Sequence, residues 1–244
     1  GGNGAAMRTS VIGLIYYKEK DIDKLIENSI VSSRVTHNYS LGFLGGLVTA
    51  LFTSYAVRDI EPWNWVDMLL ELYKSGAIDN YMKKTNIYQQ YLKDKDNFFD
   101  NWEQYKEQKL SNFLKVDQLN LHSFKERLDF LEEYNSYSIK DNKKNYARYG
   151  ASGISCLIVA YDSLLMSYGG NKRPLDSNFK NLKVSLDSLI FFSTLHFGDN
   201  DTTGAVAGAW YGALYGFKNF DEDKLGQLEF KNQIEKLTKL IHHR

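Results

Sequence analysis

Residues 35–57 read VTHNYSLGFLGGLVTALFTSYAV and contain no Lys, Arg, Asp or Glu. A stretch of that length is long enough to cross a bilayer. Its polarity argues against insertion: Thr36, His37, Asn38, Ser40, Thr49, Thr53, Ser54 and three glycines interrupt it, whereas an inserted span is more uniformly apolar. The reading is a helix from Leu41 onward, buried inside a folded protein. Gly42, Gly45, Gly46, Ala50 and Ser54 recur about one turn apart among Leu44, Leu47, Leu51 and Phe52. Such a ridge of small residues lets another backbone come close.

Helical spacing recurs on both sides of this stretch. Residues 10–17 form a short apolar run, and Asp21 then precedes Ile22, Leu25, Ile26 and Ile30 at the spacing of one helical face. Residues from about 65 to 147 are charged and aromatic, and they read as a polar helical region. In it Tyr88, Tyr91, Phe98, Phe99, Trp102 and Tyr105 recur at three, four and seven, the mark of a face packed on the core rather than of a ligand platform. The lysines there are balanced by acids, which predicts a solvated face. Apolar character returns from Ala151: Ile154, Leu157, Ile158, Tyr161, Leu164 and Leu165 share a helix whose interior acid is Asp162, closed by Gly169 and Gly170. Residues 183–197 supply another helical stripe. Residues 223–241 carry Leu225, Leu228, Ile234, Leu237 and Ile241 in an amphipathic closing helix. With Pro62 and Pro174 the only prolines and little Val/Ile alternation, the fold class is all-α, a single domain over residues 1–244.

Charge and cysteine usage narrow the function classes. Thirty Lys plus Arg against thirty Asp plus Glu give the 244 residues a formal charge of zero, so no global field holds a nucleic-acid backbone or an anionic membrane. The one cysteine, Cys156, can form neither an internal disulfide nor a CxxC metal site, and the expectation is an intracellular, cytoplasmic chain that works as a monomer. The opening Gly-Gly-Asn-Gly-Ala-Ala-Met-Arg has no basic lead or apolar segment of a secretory signal, and Gly1 is read as an interior point of a longer gene product.

Three places could carry chemistry. In Gly198-Asp199-Asn200-Asp201-Thr202-Thr203-Gly204, two carboxylates at i and i+2 and a hydroxyl at i+3 can turn toward one point, which suits Mg²⁺. An ordinary helix N-cap uses the same residue types, and spacing leaves both readings open. The glycines at 204, 208, 212 and 216 that follow line up on one helix face and predict a closely packed neighbour. The opening turn, Gly2, Asn3, Gly4, Ala5, Ala6 and Met7, offers backbone N–H groups to an anion at a helix start. It matches neither the P-loop nor the dinucleotide fingerprint, so alone it reads more readily as a plain turn. His37, within Arg34-Val35-Thr36-His37-Asn38, suits a hydrogen-bonded polar group at a helix junction as well as a ligand contact. His122, His196, His242 and His243 form no ligand spacing.

Together these segments are more specific. The Gly-Asn-Gly-Ala-Ala-Met-Arg opening, the Thr-His some thirty residues on, and Gly-Asp-Asn-Asp-Thr-Thr-Gly before a Gly/Ala helix resemble the ADP-ribosylglycohydrolase family over essentially the whole chain. Within it the likeness is greatest to arginine-specific members, through Thr49-Ala50-Leu51-Phe52-Thr53-Ser54-Tyr55-Ala56-Val57 and Leu214-Tyr215-Gly216-Phe217-Lys218. The resemblance implies an all-α orthogonal bundle around two Mg²⁺ ions, and a Mg²⁺-dependent hydrolase removing ADP-ribose from protein arginine, with ADP-ribosylated protein or ADP-ribose as partner. It implies Asp199, Asp201 and Thr202 as metal ligands, the two carboxylates being catalytic. Gly2 to Met7 then surround the diphosphate and ribose, with His37, Tyr149 and Ser152 also on the substrate. Two features depart from the family. Its upstream Ser/Thr-Asp-Asp-Thr run, which supplies the remaining ligands, would lie before Gly1. Its Gly-His-Asp-Ala-Pro segment is Gly153-Ile154-Ser155-Cys156-Leu157 here, which predicts different adenosine-side contacts. These departures carry the alternative, a catalytically inactive ADP-ribose-binding module.

Overall fold

The computed structural model of the chain describes residues 1–111, 150–168, 184–196, 198–217, 220 and 222–242. Its elements are α1 (Ser10–Ile15), α2 (Ile22–Arg34), α3 (Ser40–Val57), α4 (Trp65–Lys74), α5 (Ala77–Met82), α6 (Tyr88–Tyr105), α7 (Ser155–Met166), α8 (Leu186–Thr194) and α9 (Asn200–Tyr215), then α10 (Glu222–Gly226) and α11 (Lys231–His242). Among the described residues the extended pairings are two isolated bridges, Gly2 with Ser152 and Tyr168 with Val184, and the fold is all-α as expected. Two compact units emerge, Gly1–Leu214 and Tyr215–Arg244.

In the first unit α3 is the axis. It is long and apolar enough to cross a membrane by length and composition, yet 94% of it is buried inside the protein. Its small-residue ridge makes the close approaches that the spacing predicts. A Cβ on Gly45 would collide with the carbonyl of Gly153, one on Gly46 with the Ser33 hydroxyl of α2, and one on Gly13 of α1 with the carbonyl of Ala50. Helix α3 also carries Phe52, fully buried at the hub of an aromatic cluster. Its ring lies 5.3 Å from Trp65 of α4, 5.4 Å from Trp102 of α6, 5.5 Å from Tyr161 of α7 and 5.4 Å from Trp210 of α9. One residue of α3 thus touches four helices. Those rings contribute both buried area and favourable edge-to-face contacts. The aromatic face of α6 behaves as read: Tyr91, Phe98, Phe99, Trp102 and Tyr105 are buried. Helix α7 is nearly all buried and ends at Met166, while Gly169 and Gly170 lie outside the described residues. Helix α8 falls within the stripe expected over 183–197.

Two expectations change. The glycine stripe of α9 does not mark a tight neighbour along its length. Gly204 abuts Thr194, but a Cβ on Gly208 or Gly212 would meet nothing within 4 Å among the described residues, and Gly216 sits at φ 60° where the helix ends. The buried face of α9 is instead Thr202, Thr203, Val206, Ala207, Trp210 and Tyr211. Bulk carries the packing there, and the glycines lie off that face. In the second unit, the closing helix is two helices rather than one. The break falls before α11, where Phe230 takes a left-handed φ of 58°. Along α11, Ile234, Leu237 and Leu240 are exposed.

Candidate functional site

The site forms where the opening turn is pinned between three segments far apart in sequence. Gly2 pairs with Ser152, and the N–H of Gly153 donates to the Gly1 carbonyl at 2.9 Å. Further along the turn, the Thr9 hydroxyl donates to the Gly46 carbonyl of α3 at 2.7 Å. Ala5 and Ala6 are fully buried beneath the turn, while Gly2 and Met7 remain exposed. The turn therefore has an anchored underside and an accessible face.

Asn3 ties this turn to the acidic segment. Its side-chain nitrogen donates to the Gly150 carbonyl at 2.8 Å and to Asp199 Oδ2 at 2.8 Å, which uses both amide hydrogens and fixes the carboxylate. The Thr202 hydroxyl lies 3.1 Å from Asp199 Oδ1 and 3.3 Å from Met7 Sδ. The Thr202 N–H donates to Asp201 Oδ1 at 2.8 Å. Burial opposes ionisation of Asp199, but hydrogen bonds with Asp201, Asn3 and Thr202 outweigh it and hold this carboxyl below the ordinary range. Asp201 moves the other way: the neighbouring Asp199, as hydrogen-bond partner and as charge, raises it. Two carboxyl groups this close favour a cation between or beside them. The donor chemistry of Asp199, Asp201 and Thr202 thus suits Mg²⁺, which takes oxygen ligands. Among the described residues no group of three His, Cys, Asp or Glu side chains assembles, so these residues make only part of a coordination shell.

On the other flank, His37 packs over the glycines. A Cβ on Gly4 would stand 3.0 Å from its Cε1, and one on Gly42 would stand 3.0 Å from its Cβ. Burial, and then the charge of Arg8, pull the imidazole below its ordinary pKa. The turn, His37, Asp199, Asp201 and Thr202 therefore share one neighbourhood, as the sequence pairs them. Ser152 is beside the turn through its backbone, but its hydroxyl is 2.9 Å from that of Ser155, inside a reciprocal cap at the start of α7. Ile154 and Ser155, at the departure from the family motif, are buried, as is Cys156. Burial, and next the charge of Asp199, push the Cys156 thiol up, so it is an inert wall of the site rather than a nucleophile. Tyr149 lies outside the described residues.

Three contributors escape the sequence reading. Gly150 has φ 76°, and a Cβ there would meet Thr203 at 2.8 Å, so both backbone and space require glycine beside Asp199. His196 is a buried bracket, not a ligand. Its Nδ1 accepts from the Gly198 N–H at 3.1 Å, leaving Nε2–H for the Thr203 hydroxyl at 2.9 Å, and this holds the bend that presents Asp199. Arg8 donates to the carbonyls of Gly4, Ser32 and Ser33 and to the Thr36 hydroxyl, joining the turn to the end of α2. A positive φ and a contact across the fold leave no periodic trace in a sequence.

Comparison with known proteins gives a consistent result. The ADP-ribosylglycohydrolase family model matches residues 1–244. The chain is 36% identical over 260 residues to ADP-ribosylhydrolase ARH1 of Dictyostelium discoideum, an alignment covering 99% of this chain and 60% of that protein. It is 34% identical over 241 residues to the protein L444 of Acanthamoeba polyphaga mimivirus, named for an ADP-ribosyl glycohydrolase, covering 97% of this chain and 43% of its relative. A shorter likeness, 39% over 79 residues, connects 32% of the chain with 22% of ADP-ribosylhydrolase ARH3 of Xenopus tropicalis. The chain spans less than two thirds of the length of each.

Proposed function

The chain belongs to the ADP-ribosylglycohydrolase family, and from that premise we propose that it carries the substrate-binding turn and half of the metal centre of a Mg²⁺-dependent hydrolase that releases ADP-ribose from protein arginine. The observation that carries the reading is the Asn3 bridge. It locks the glycine turn to Asp199, so that an anion-binding loop and a cation-seeking carboxylate pair face the same small region.

In this reading the exposed face of the turn, Gly2 to Met7, and the His37 ring hold the diphosphate, so remote binding positions the ribose over the acidic segment. Asp199, Asp201 and Thr202 would hold Mg²⁺, which supplies charge stabilisation and activation of a water for attack at an anomeric carbon that develops positive character. Asn3 keeps Asp199 ionised and oriented, and Thr202 steadies the same carboxylate from its other oxygen. Gly150 lets the backbone approach that pair without a side chain intervening.

The test is release of ADP-ribose from arginine-linked and serine-linked substrates by the full-length protein. The expected outcome is arginine-selective release that needs Mg²⁺, stops in EDTA and falls about 10²-fold or more in Asp201→Ala. Release unaffected by Asp201→Ala overturns it. A second reading, an ADP-ribose-binding module without turnover, is favoured by the small ligand set and by Ile154 and Ser155 at the family's His-Asp positions. Mg²⁺-dependent binding with no release of product from either substrate supports that reading.

A further inference from the structure

We propose that Arg8 and Thr36 are positioning residues that hold His37 with its proton on Nε2, aimed over the turn between Gly2 and Gly4 as a donor to an anionic oxygen of a nucleoside diphosphate. The ligand part of this inference rests on the reading of the turn given above.

The chain of donors decides the direction. A guanidinium has donors only, so the 2.7 Å contact between Arg8 Nη2 and Thr36 Oγ1 makes that oxygen the acceptor. Accepting from a cation polarises the hydroxyl and makes it the better donor for its next partner. That partner is His37 Nδ1, 2.7 Å away. Among the described residues Nδ1 is the one acceptor within reach of the Thr36 hydroxyl proton, so in this arrangement Nδ1 accepts and a neutral ring keeps its single proton on Nε2. Arg8 cannot swing away easily, because the same Nη2 also reaches the Ser32 and Ser33 carbonyls at 2.8 and 3.3 Å and Nη1 reaches the Gly4 carbonyl at 3.2 Å. The end of α2, the turn and the ring are thus one hydrogen-bonded unit.

Nε2 has a defined outlook. It would lie 3.4 Å from a Cβ built on Gly2 and 3.4 Å from one built on Gly4. Side chains at those positions would crowd the space that the N–H addresses, and glycine leaves it open. Among the described residues Nε2 makes no hydrogen bond, so its donor is available to a ligand lying along the turn. Burial and the charge of Arg8 pull the ring below its ordinary pKa, which favours an oriented N–H over a diffuse positive charge.

The experiment is nitrogen NMR of the histidine side chains in the full chain, with His37→Gln to identify the resonances, alongside calorimetric titration of ADP-ribose in Mg²⁺. His37 is expected to be protonated at Nε2 and bare at Nδ1 at neutral pH. Thr36→Val is expected to give a mixture of tautomers and about fivefold weaker binding, the size of one misdirected hydrogen bond. Thr36→Ser, which keeps the hydroxyl, restores both, and Arg8→Lys, which keeps charge but not the planar reach, moves the tautomer as Thr36→Val does. Thr36 is on the surface, so the Thr36 variants test orientation and not folding. A proton on Nδ1 in the parent chain, or a Thr36→Val chain with tautomer and affinity unchanged, overturns the proposal. The expected tautomers in a folded chain that takes up no ADP-ribose uphold the positioning pair and overturn the diphosphate reading.

Discussion

Asp201 is where function and stability pull apart. It is exposed, yet the neighbouring Asp199 carboxylate pushes its carboxyl above the ordinary range, while the charge of Asp199 itself is secured by Asn3 and Thr202. Without a cation the pair carries like-charge repulsion, and with one the same geometry becomes a binding site. Asp201→Asn is therefore expected to raise the melting temperature of the chain in EDTA, by about 1–2 °C because the repulsion is screened by solvent. The same substitution is expected to abolish the further rise that Mg²⁺ gives the parent chain. Melting curves with EDTA and with Mg²⁺ check both. A lower melting temperature for Asp201→Asn in EDTA would mean that the second carboxylate serves the fold and not a ligand.

At the scale of elements, glycine has two uses in this protein, and only one is enforced by contact. On α3, Gly45 lies against the carbonyl of Gly153, and both partners are backbone, so neither can yield by changing a rotamer. Gly45→Ala is expected to cost about 2–3 kcal/mol and to displace the 150–155 segment that holds the opening turn. On α9, Gly208 lies inside a helix and meets nothing within 4 Å among the described residues. Gly208→Ala is expected to add about 0.5–1 kcal/mol, because the folded backbone is unchanged while the unfolded chain loses freedom. Urea denaturation of the two variants measures both signs. A Gly208→Ala chain less stable than the parent would show that α9 meets a partner on that face after all.

For the molecule as a whole, what could be read from the sequence was what repeats or what clusters. The charge-free run of α3, the aromatic face of α6 and the apolar α7 are periodic patterns, and their burial follows from them. The glycine turn, His37 and the Asp199–Thr202 segment are local clusters whose residue types left plain turn, capping and ligand roles open, and only the family resemblance joined them into a site. The α9 stripe misled because glycine spacing reports only that a side chain is absent, not that a neighbour is present. The leucine spacing predicts one continuous closing helix because nothing in it signals the left-handed Phe230. Gly150, His196 and the Arg8–Thr36 pair are illegible for a different reason: Gly150 and the Arg8–Thr36 pair act through contacts between separate segments, and His196 brackets a local bend that no periodicity records. The central claim joins those segments into one ligand site, and its most direct test is calorimetric titration of ADP-ribose into the folded chain, once with Mg²⁺ and once with EDTA. The account predicts binding that requires Mg²⁺ and is lost in Asp201→Ala. Binding of equal strength in both buffers, or none in either, would contradict it.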